Sequence, residues 1–297
     1  MRIGYPCINR TLECRSNRTF RLKSYSDERL KETVKNNLDC LSKILEFNAE
    51  NNVLFFRITS DLVPFASHPV CRFPWQSHFE EKFKDVGDFV KSQGMRVSTH
   101  PGQYTVLNSR DMGVFERSVG ELFYHCEVLD LMGLDLSAKV QIHVGGVYKD
   151  RELSRERFAE RFCKLDDLIK RRLVIENDEK SYSLEDCLWV SDQTGVPVVF
   201  DLLHHRLKNN GESLKEAFEG FIPTWKERDG TPIVDYSTQD MGKRPGKHAE
   251  SIDPLDFQEF LEATRQFDFD VMMEIKDKER SALRAIELAS ENVRFRG

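Results

Sequence analysis

Short β-prone runs alternate with amphipathic segments about eight times along this chain of 297 residues, with no linker or break in composition between one unit and the next. The strand-like runs are 2–8, 53–59, 95–99, 139–144, 173–175, 196–200, 233–236 and 269–275. Between them apolar residues recur at steps of three and four, as in Leu30, Val34, Leu38, Leu41 and Leu45, so each such segment has one face to bury. Strand then helix, repeated in this way, builds a parallel sheet with helical crossovers, and eight repeats are the number that closes it. Residues 1–297 therefore read as one α/β domain, a parallel (β/α)8 TIM barrel. A doubly wound open sheet competes with it, but polar residues stand at the carboxyl end of nearly every run, which favours the barrel.

In a barrel those ends converge on one mouth although they lie far apart in sequence. The mouth would collect His100, His143, Glu176, Asp201, Asp235 and Glu274, with His68, His204 and His248 supplied by loops. Four carboxylates packed together without cations would repel one another and lose hydration, and a multinuclear metal centre removes that conflict. Mixed imidazole and carboxylate ligands suit Mn²⁺, Zn²⁺ or Fe²⁺. Metals so held can activate water and stabilise both oxygens of an in-line phosphodiester displacement, or polarise a sugar for isomerisation. Asp201, three residues before His204, can equally cap a helix. Glu274, between Met273 and Ile275, has no water-facing side in a barrel strand and reads as a site residue. His78, His125 and His205 fall on or near helices and read as structural.

Other features narrow the class. No apolar run approaches the ~20 residues of a membrane helix, and MRIGYPCINR lacks the charged head and apolar core of a secretion signal, so a soluble intracellular protein is expected. Cys7, Cys14, Cys40, Cys71, Cys126, Cys163 and Cys187 are scattered without a CxxC pair, an arrangement that predicts reduced thiols rather than a zinc knuckle or disulfide framework. No glycine-rich nucleotide-binding motif follows any run. The net charge of −6 does not advertise nucleic-acid binding. Locally, however, residues 1–25 carry Arg2, Arg10, Arg15, Arg18, Arg21 and Lys23 against the single acid Glu13, and Lys243, Arg244 and Lys247 form a second basic stretch. Each reads as a phosphate-binding rim or as a solvated loop.

The segments GYPCIN (4–9), SDLVPFASHP (60–69), STHPGQYTVLNS (98–109), QIHVGG (141–146), IEND (175–178), DLLHH (201–205) and KHAESID (247–253) together closely resemble the UV damage endonucleases, in order and over essentially the whole chain. These belong to the barrel group of endonuclease IV and xylose isomerase. The resemblance implies a DNA repair enzyme that nicks duplex DNA immediately 5′ to UV photoproducts, pyrimidine dimers and 6-4 photoproducts, with two or three divalent ions. Mn²⁺ is the usual ion, with Zn²⁺, Mg²⁺ or Co²⁺ as substitutes. Matching motifs give His100, His143 and Glu176 as one ligand set, Glu176, Asp201, Asp235 and Glu274 as a second, and His204 with His248 as a third. His68 matches an additional active-site histidine, and Glu176, His68, His100 and Asp201 are the catalytic candidates. Gln103 and Tyr104 match a pair that probes the duplex opposite the damage, and Tyr5 and Asn9 match residues facing the flipped lesion. Asp235 and Ile233 stand where the family commonly has histidine and lysine, and the second set is expected to persist with Asp235 ligating or supporting it. UV-damaged duplex DNA is the expected partner, met by a monomer in the cytoplasm. An abasic-site endonuclease, a sugar isomerase or epimerase and a non-catalytic damage-binding barrel are the alternatives. The loop tip Gln103-Tyr104 and the basic first loop favour DNA.

Overall fold

The computed structural model describes residues 1–296. Eight parallel strands, Ile3–Pro6 (β1), Phe55–Ile58 (β2), Arg96–Thr99 (β3), Lys139–His143 (β4), Leu173–Glu176 (β5), Val198–Asp201 (β6), Ile233–Tyr236 (β7) and Asp270–Met273 (β8), follow one another around a closed barrel. Closure runs through Ile3 opposite Val271 and Gly4 opposite Met272. The barrel expected from the alternation is therefore the architecture, and the open sheet is not. At Gly4 a Cβ would lie 1.8 Å from the Phe55 carbonyl oxygen, so the close approach there requires glycine.

The helices are Asp27–Glu50 (α1), Trp75–His78 (α2), Glu80–Ser92 (α3), Met112–Leu131 (α4), Arg151–Cys163 (α5), Asp167–Lys170 (α6), Leu184–Thr194 (α7), Leu202–Leu207 (α8), Leu214–Phe221 (α9), Pro254–Ala263 (α10) and Glu279–Ala289 (α11). The stripe of α1 from Leu30 to Leu45 is wholly buried, and Ser26 starts the helix by accepting the Arg29 N–H. By apolar spacing, residues 76–93 and the segment around Phe158, Phe162, Leu165 and Leu168 each read as one helix, and the structure breaks both. Phe79 leaves helical backbone between α2 and α3. Asp166 accepts the Leu168 N–H at 2.8 Å, starting α6 afresh after α5 has ended at Cys163. Among the described residues no helix is long and apolar enough to cross a membrane.

Alternate strand residues face the barrel axis. Arg96, Ser98 and His100 climb one wall, and Lys139, Gln141 and His143 the next. At the amino-terminal end Arg96 Nη1 meets Asp270 Oδ2 at 3.0 Å and Lys139 Nζ meets Asp229 Oδ1 at 2.5 Å, which plugs the floor with paired charges. The opposite end carries the histidines and carboxylates.

One cysteine expectation is overturned. Cys14, in the loop after β1, and Cys40, on α1, form a disulfide with Cα atoms 5.7 Å apart, and the other five remain thiols. The pairing depends on that loop folding back over the helix, a tertiary contact that Cys spacing does not encode.

Candidate metal centre

Glu176, the last residue of β5, is buried at the middle of the mouth. Its Oε2 lies 3.4 Å from His100 Nε2 and 3.7 Å from His143 Nε2, while its Oε1 lies 3.4 Å from His204 Nδ1. Three groups bring their donor atoms within 4.8 Å of one another: His100–His143–Glu176, Glu176–Asp201–His204 and Asp201–Asp235–Glu274. His248 comes down from the loop after β7, with Nδ1 3.9 Å from Glu274 Oε2 and its ring centre 6.2 Å from that of His204. Six strand ends, helix α8 with His204 and the loop with His248 thus converge; His204 stands on a helix rather than on the loop expected for it.

The supports explain why these side chains face inward. His100 Nδ1 sits 2.9 Å from the Pro101 carbonyl oxygen, which leaves Nε2 toward Glu176. Asp201 caps a helix, as its position allowed, and still leaves one oxygen free. Its Oδ1 accepts the His204 N–H at 2.6 Å and starts α8, while its buried Oδ2 has no hydrogen-bond partner. His143 Nδ1 is a second buried atom without one. Orphaned donor atoms inside a cluster of imidazoles and carboxylates fit a divalent cation, since an unpaired buried polar atom otherwise costs about 1–3 kcal/mol.

Glu274 follows the last residue of β8 rather than lying inside the strand, and its N–H is held by the Tyr236 carbonyl oxygen at 2.8 Å. Opposite it lies a residue that the sequence reading passed over. Arg57 of β2 is 1% exposed; its Nη2 donates to Asp235 Oδ1 at 2.7 Å and Oδ2 at 3.0 Å, and its Nη1 pairs with Glu274. Gln141 accepts from the same Nη2 at 2.9 Å and donates to Glu176 Oε2 and Asp235 Oδ2, each at 2.6 Å. Asp235 is therefore tied to a guanidinium and an amide while remaining within the acidic group. Arg57 has the same signal as Glu274, a charge between apolar neighbours in a barrel strand. Gln141 stands two residues before His143, on the same inward row. Glu179, after β5, was also missed, and its Oε2 lies 3.6 Å from His204 Nε2.

Charge is distributed unevenly among the carboxylates. Burial pushes Asp235 up to about 7 even with Arg57 opposing it. Burial also drives Asp201 well above the usual carboxylate range, against the pull of His204. For Glu274, burial pushes upward, but Arg57 together with His248 and His100 holds it down at about 2. Glu176 is likewise buried, yet His143, His100 and His204 keep it well below its ordinary value. His204 is raised to about 11, because Asp201 and Glu176 outweigh its own burial. Without ions, the centre already shares protons between acids and imidazoles.

The loops divide into exposed and closed. A cleft of about 520 Å³ opens over the centre, lined by Pro6, Cys7, Arg57, His100, Lys247, His248 and Glu274 among others. Gln103 and Tyr104 project from the loop after β3, Tyr104 being 83% exposed. His68 is exposed in the loop after β2, where its Nδ1 accepts the Val70 N–H at 3.0 Å, and it joins none of the three groups. Tyr5 and Asn9 correct an expectation. Both are closed to solvent, Tyr5 O–H donating to Asn48 Oδ1 of α1 at 2.7 Å and accepting from Asn9 Nδ2 at 2.9 Å. The strand alternation that points Glu176 inward points Tyr5 outward, where its hydroxyl finds α1, so neither residue faces an open surface in this conformation.

Comparison with known proteins agrees with this geometry. The family model described as UV-endonuclease UvdE matches residues 1–295. The chain belongs to that family. It is accordingly a nuclease, a hydrolase of DNA repair. The UV DNA damage endonuclease of Clostridium perfringens is 44% identical over 293 residues, covering 98% of this chain and 71% of the relative. That of Bacillus cereus strain Q1 is 32% identical, covering 98% and 95%. Among solved structures, that of SacUVDE superposes with a TM-score of 0.95 at 45% identity, covering 99% of this chain and all of the other. Endonuclease IV from Thermus thermophilus superposes with a TM-score of 0.61 at 19% identity, covering 84% and 92%, a likeness of fold alone.

Proposed function

We propose that this DNA repair endonuclease nicks duplex DNA immediately 5′ to UV photoproducts, pyrimidine dimers and 6-4 photoproducts, with a Mn²⁺ centre of two or three ions. One observation carries the reading: three ligand groups linked through Glu176 and Asp201 lie beneath an exposed tyrosine loop, in a chain matched end to end by the UV-endonuclease family model. Bound divalent ions would supply Lewis acidity and a nucleophilic water at neutral pH. His100, His143 and Glu176 would hold one ion, Glu176, Asp201 and Glu274 a second beside the Arg57–Asp235 pair, and His204 with His248 a third.

The chain's own groups do the remaining work. Arg57 keeps Glu274 ionised and fixes its direction, and Gln141 ties Glu176 to Asp235, so both ligands are set before substrate arrives. His68, exposed in the loop after β2, would hold a phosphate oxygen or carry a proton. Gln103 and Tyr104 would enter the gap left when the damaged bases leave the stack, a step made easier because the lesion has already weakened stacking. Tyr5 and Asn9 enter as supports of the first loop, whose arginines meet phosphates. We place the enzyme in the cytoplasm, acting on chromosomal DNA as a monomer.

The test is a nicking assay on irradiated and undamaged duplexes, with chelator-treated protein and with Mn²⁺ restored. Cutting beside photoproducts only when Mn²⁺ is present is expected. Cutting of undamaged or abasic DNA alone, or metal-independent cutting, would overturn the reading.

A further inference from the structure

The loop between β7 and α10 delivers His248 to the centre but reaches well beyond it. An antiparallel bridge between Gln239 and His248 closes it into a hairpin. Inside the hairpin Asp240 N–H donates to the Lys247 carbonyl at 2.7 Å, Gly246 N–H to Gln239 Oε1 at 2.8 Å, and Gly242 N–H to Asp240 Oδ1 at 3.1 Å. Lys276 Nζ anchors Asp240 Oδ2 from outside at 3.1 Å. Gly246, at φ +81°, lies against the loop after β5, where a Cβ would come within 2.8 Å of Glu179 Oε1. At the tip of this braced hairpin stands Met241, 91% exposed and thus more open to water than Tyr104.

A single exposed methionine is ordinary on its own, and only its place on the rim and the charges that flank it can point to a partner. Position identifies that partner. In a ring of eight strands β3 and β7 are four places apart, so the loop bearing Tyr104 and the hairpin bearing Met241 rise from opposite sides of the mouth with the ligand groups between them. Charge agrees. Lys243 is drawn toward Asp240 and Glu250 at 3.5 Å each, but Arg244 and Lys247 take part in no ion pair among the described residues. An apolar tip flanked by cations fits a nucleic-acid duplex, cations to phosphates and the thioether between base pairs.

Resting on the endonuclease reading above, we infer that Met241 is a second wedge, inserted into a base step on the far side of the cut from Tyr104, with Arg244 and Lys247 on the adjoining phosphates. Two wedges on opposite rims would kink the duplex over the centre and press the scissile phosphate down toward it. Because His248 ends the same hairpin, seating Met241 would also fix that ligand.

The experiment uses the full chain in EDTA, so that cutting does not intrude. The probe is a duplex with one cyclobutane dimer, 2-aminopurine at successive steps on either side, and a fluorophore pair at its ends. The wild type is expected to unstack 2-aminopurine at two separated positions and to shorten the end-to-end distance. Met241→Ala should lose one of these signals and most of the bend and bind about five- to tenfold more weakly, while Met241→Leu keeps all three. Arg244→Ala with Lys247→Ala should lower the slope of log affinity against log salt by about two and leave both 2-aminopurine signals in place. A Met241→Ala protein with wild-type affinity and both signals overturns the wedge while leaving the endonuclease standing. A wild-type protein that neither binds irradiated duplex in EDTA nor nicks it once Mn²⁺ is restored overturns both.

Discussion

Replacing Arg57 by methionine keeps the reach of the side chain and removes its charge. The guanidinium donates to Asp235 at 2.7 and 3.0 Å and to Gln141 at 2.9 Å, and also pairs with Glu274, all with almost no exposure to water. Removing one partner of a buried ion pair costs about 3–5 kcal/mol, because the other is left charged in a poor solvent. The cost depends on pH in a defined way. Asp235 titrates at about 7 with Arg57 beside it, so without that cation it moves higher. At pH 5.5 Asp235 is mostly neutral in both proteins, and the loss comes mainly from Glu274, which Arg57 otherwise helps to hold at about 2. At pH 8 the wild type keeps an ionised, paired Asp235 that the variant must protonate, so the loss is larger there. In chelator-treated protein the expected drop in Tm at pH 8 is about 10 °C, shrinking at pH 5.5. Adding Asp235→Asn to Arg57→Met should recover part of the loss at pH 8. Paired thermal melts at the two pH values decide the matter. A variant within about 0.5 kcal/mol of wild type at pH 8, or a loss equal at both pH values, would refute the reasoning.

Glu176→Gln should lower nicking by more than about 100-fold and reduce the number of ions retained after gel filtration, because two ligand groups lose a shared carboxylate; full turnover or an unchanged ion count would contradict this. Tyr104→Ala should weaken binding to damaged duplex by about tenfold while leaving the rate at saturating DNA nearly unchanged, as separate titration and single-turnover measurements would reveal. His204 is raised to about 11, so the stabilisation it gives metal-free protein is complete below its unfolded value near 6.5 and is lost as pH rises toward 11. Metal-loaded protein should gain stability over the same range, since ions bind neutral imidazole, and parallel Tm profiles with the same slope would count against that assignment. Cys14→Ser opens a loop with a sequence separation of 26 and should cost about 3 kcal/mol under oxidising conditions, a difference that dithiothreitol abolishes; a difference persisting in reductant would mean the thiol side chain, not the bond, matters.

The strands and the candidate ligands that gather at their ends were legible because both obey local rules. A β-prone run that stops at a histidine or an acid needs only barrel closure to bring His100, His143, Glu176, Asp201 and Glu274 together. Arg57 and Gln141 were legible in principle by the same rule, yet they sit one layer below the rim and carry no ligand chemistry to mark them. The outward turn of Tyr5 is a different kind of miss. A motif match says which residue is present, whereas its direction is set by register and by Asn48, more than forty positions away. The helix breaks at Phe79 and after Cys163, and the Cys14–Cys40 bond, likewise depend on what packs nearby rather than on period.

Glu176 sends one oxygen toward His100 and His143 and the other toward His204. An ion held on one side would therefore polarise the donor available to the other, and binding constants for successive ions would not be separable quantities. Selection acting on such a hinge is constrained: a change that retunes ion preference on one side is felt on the other.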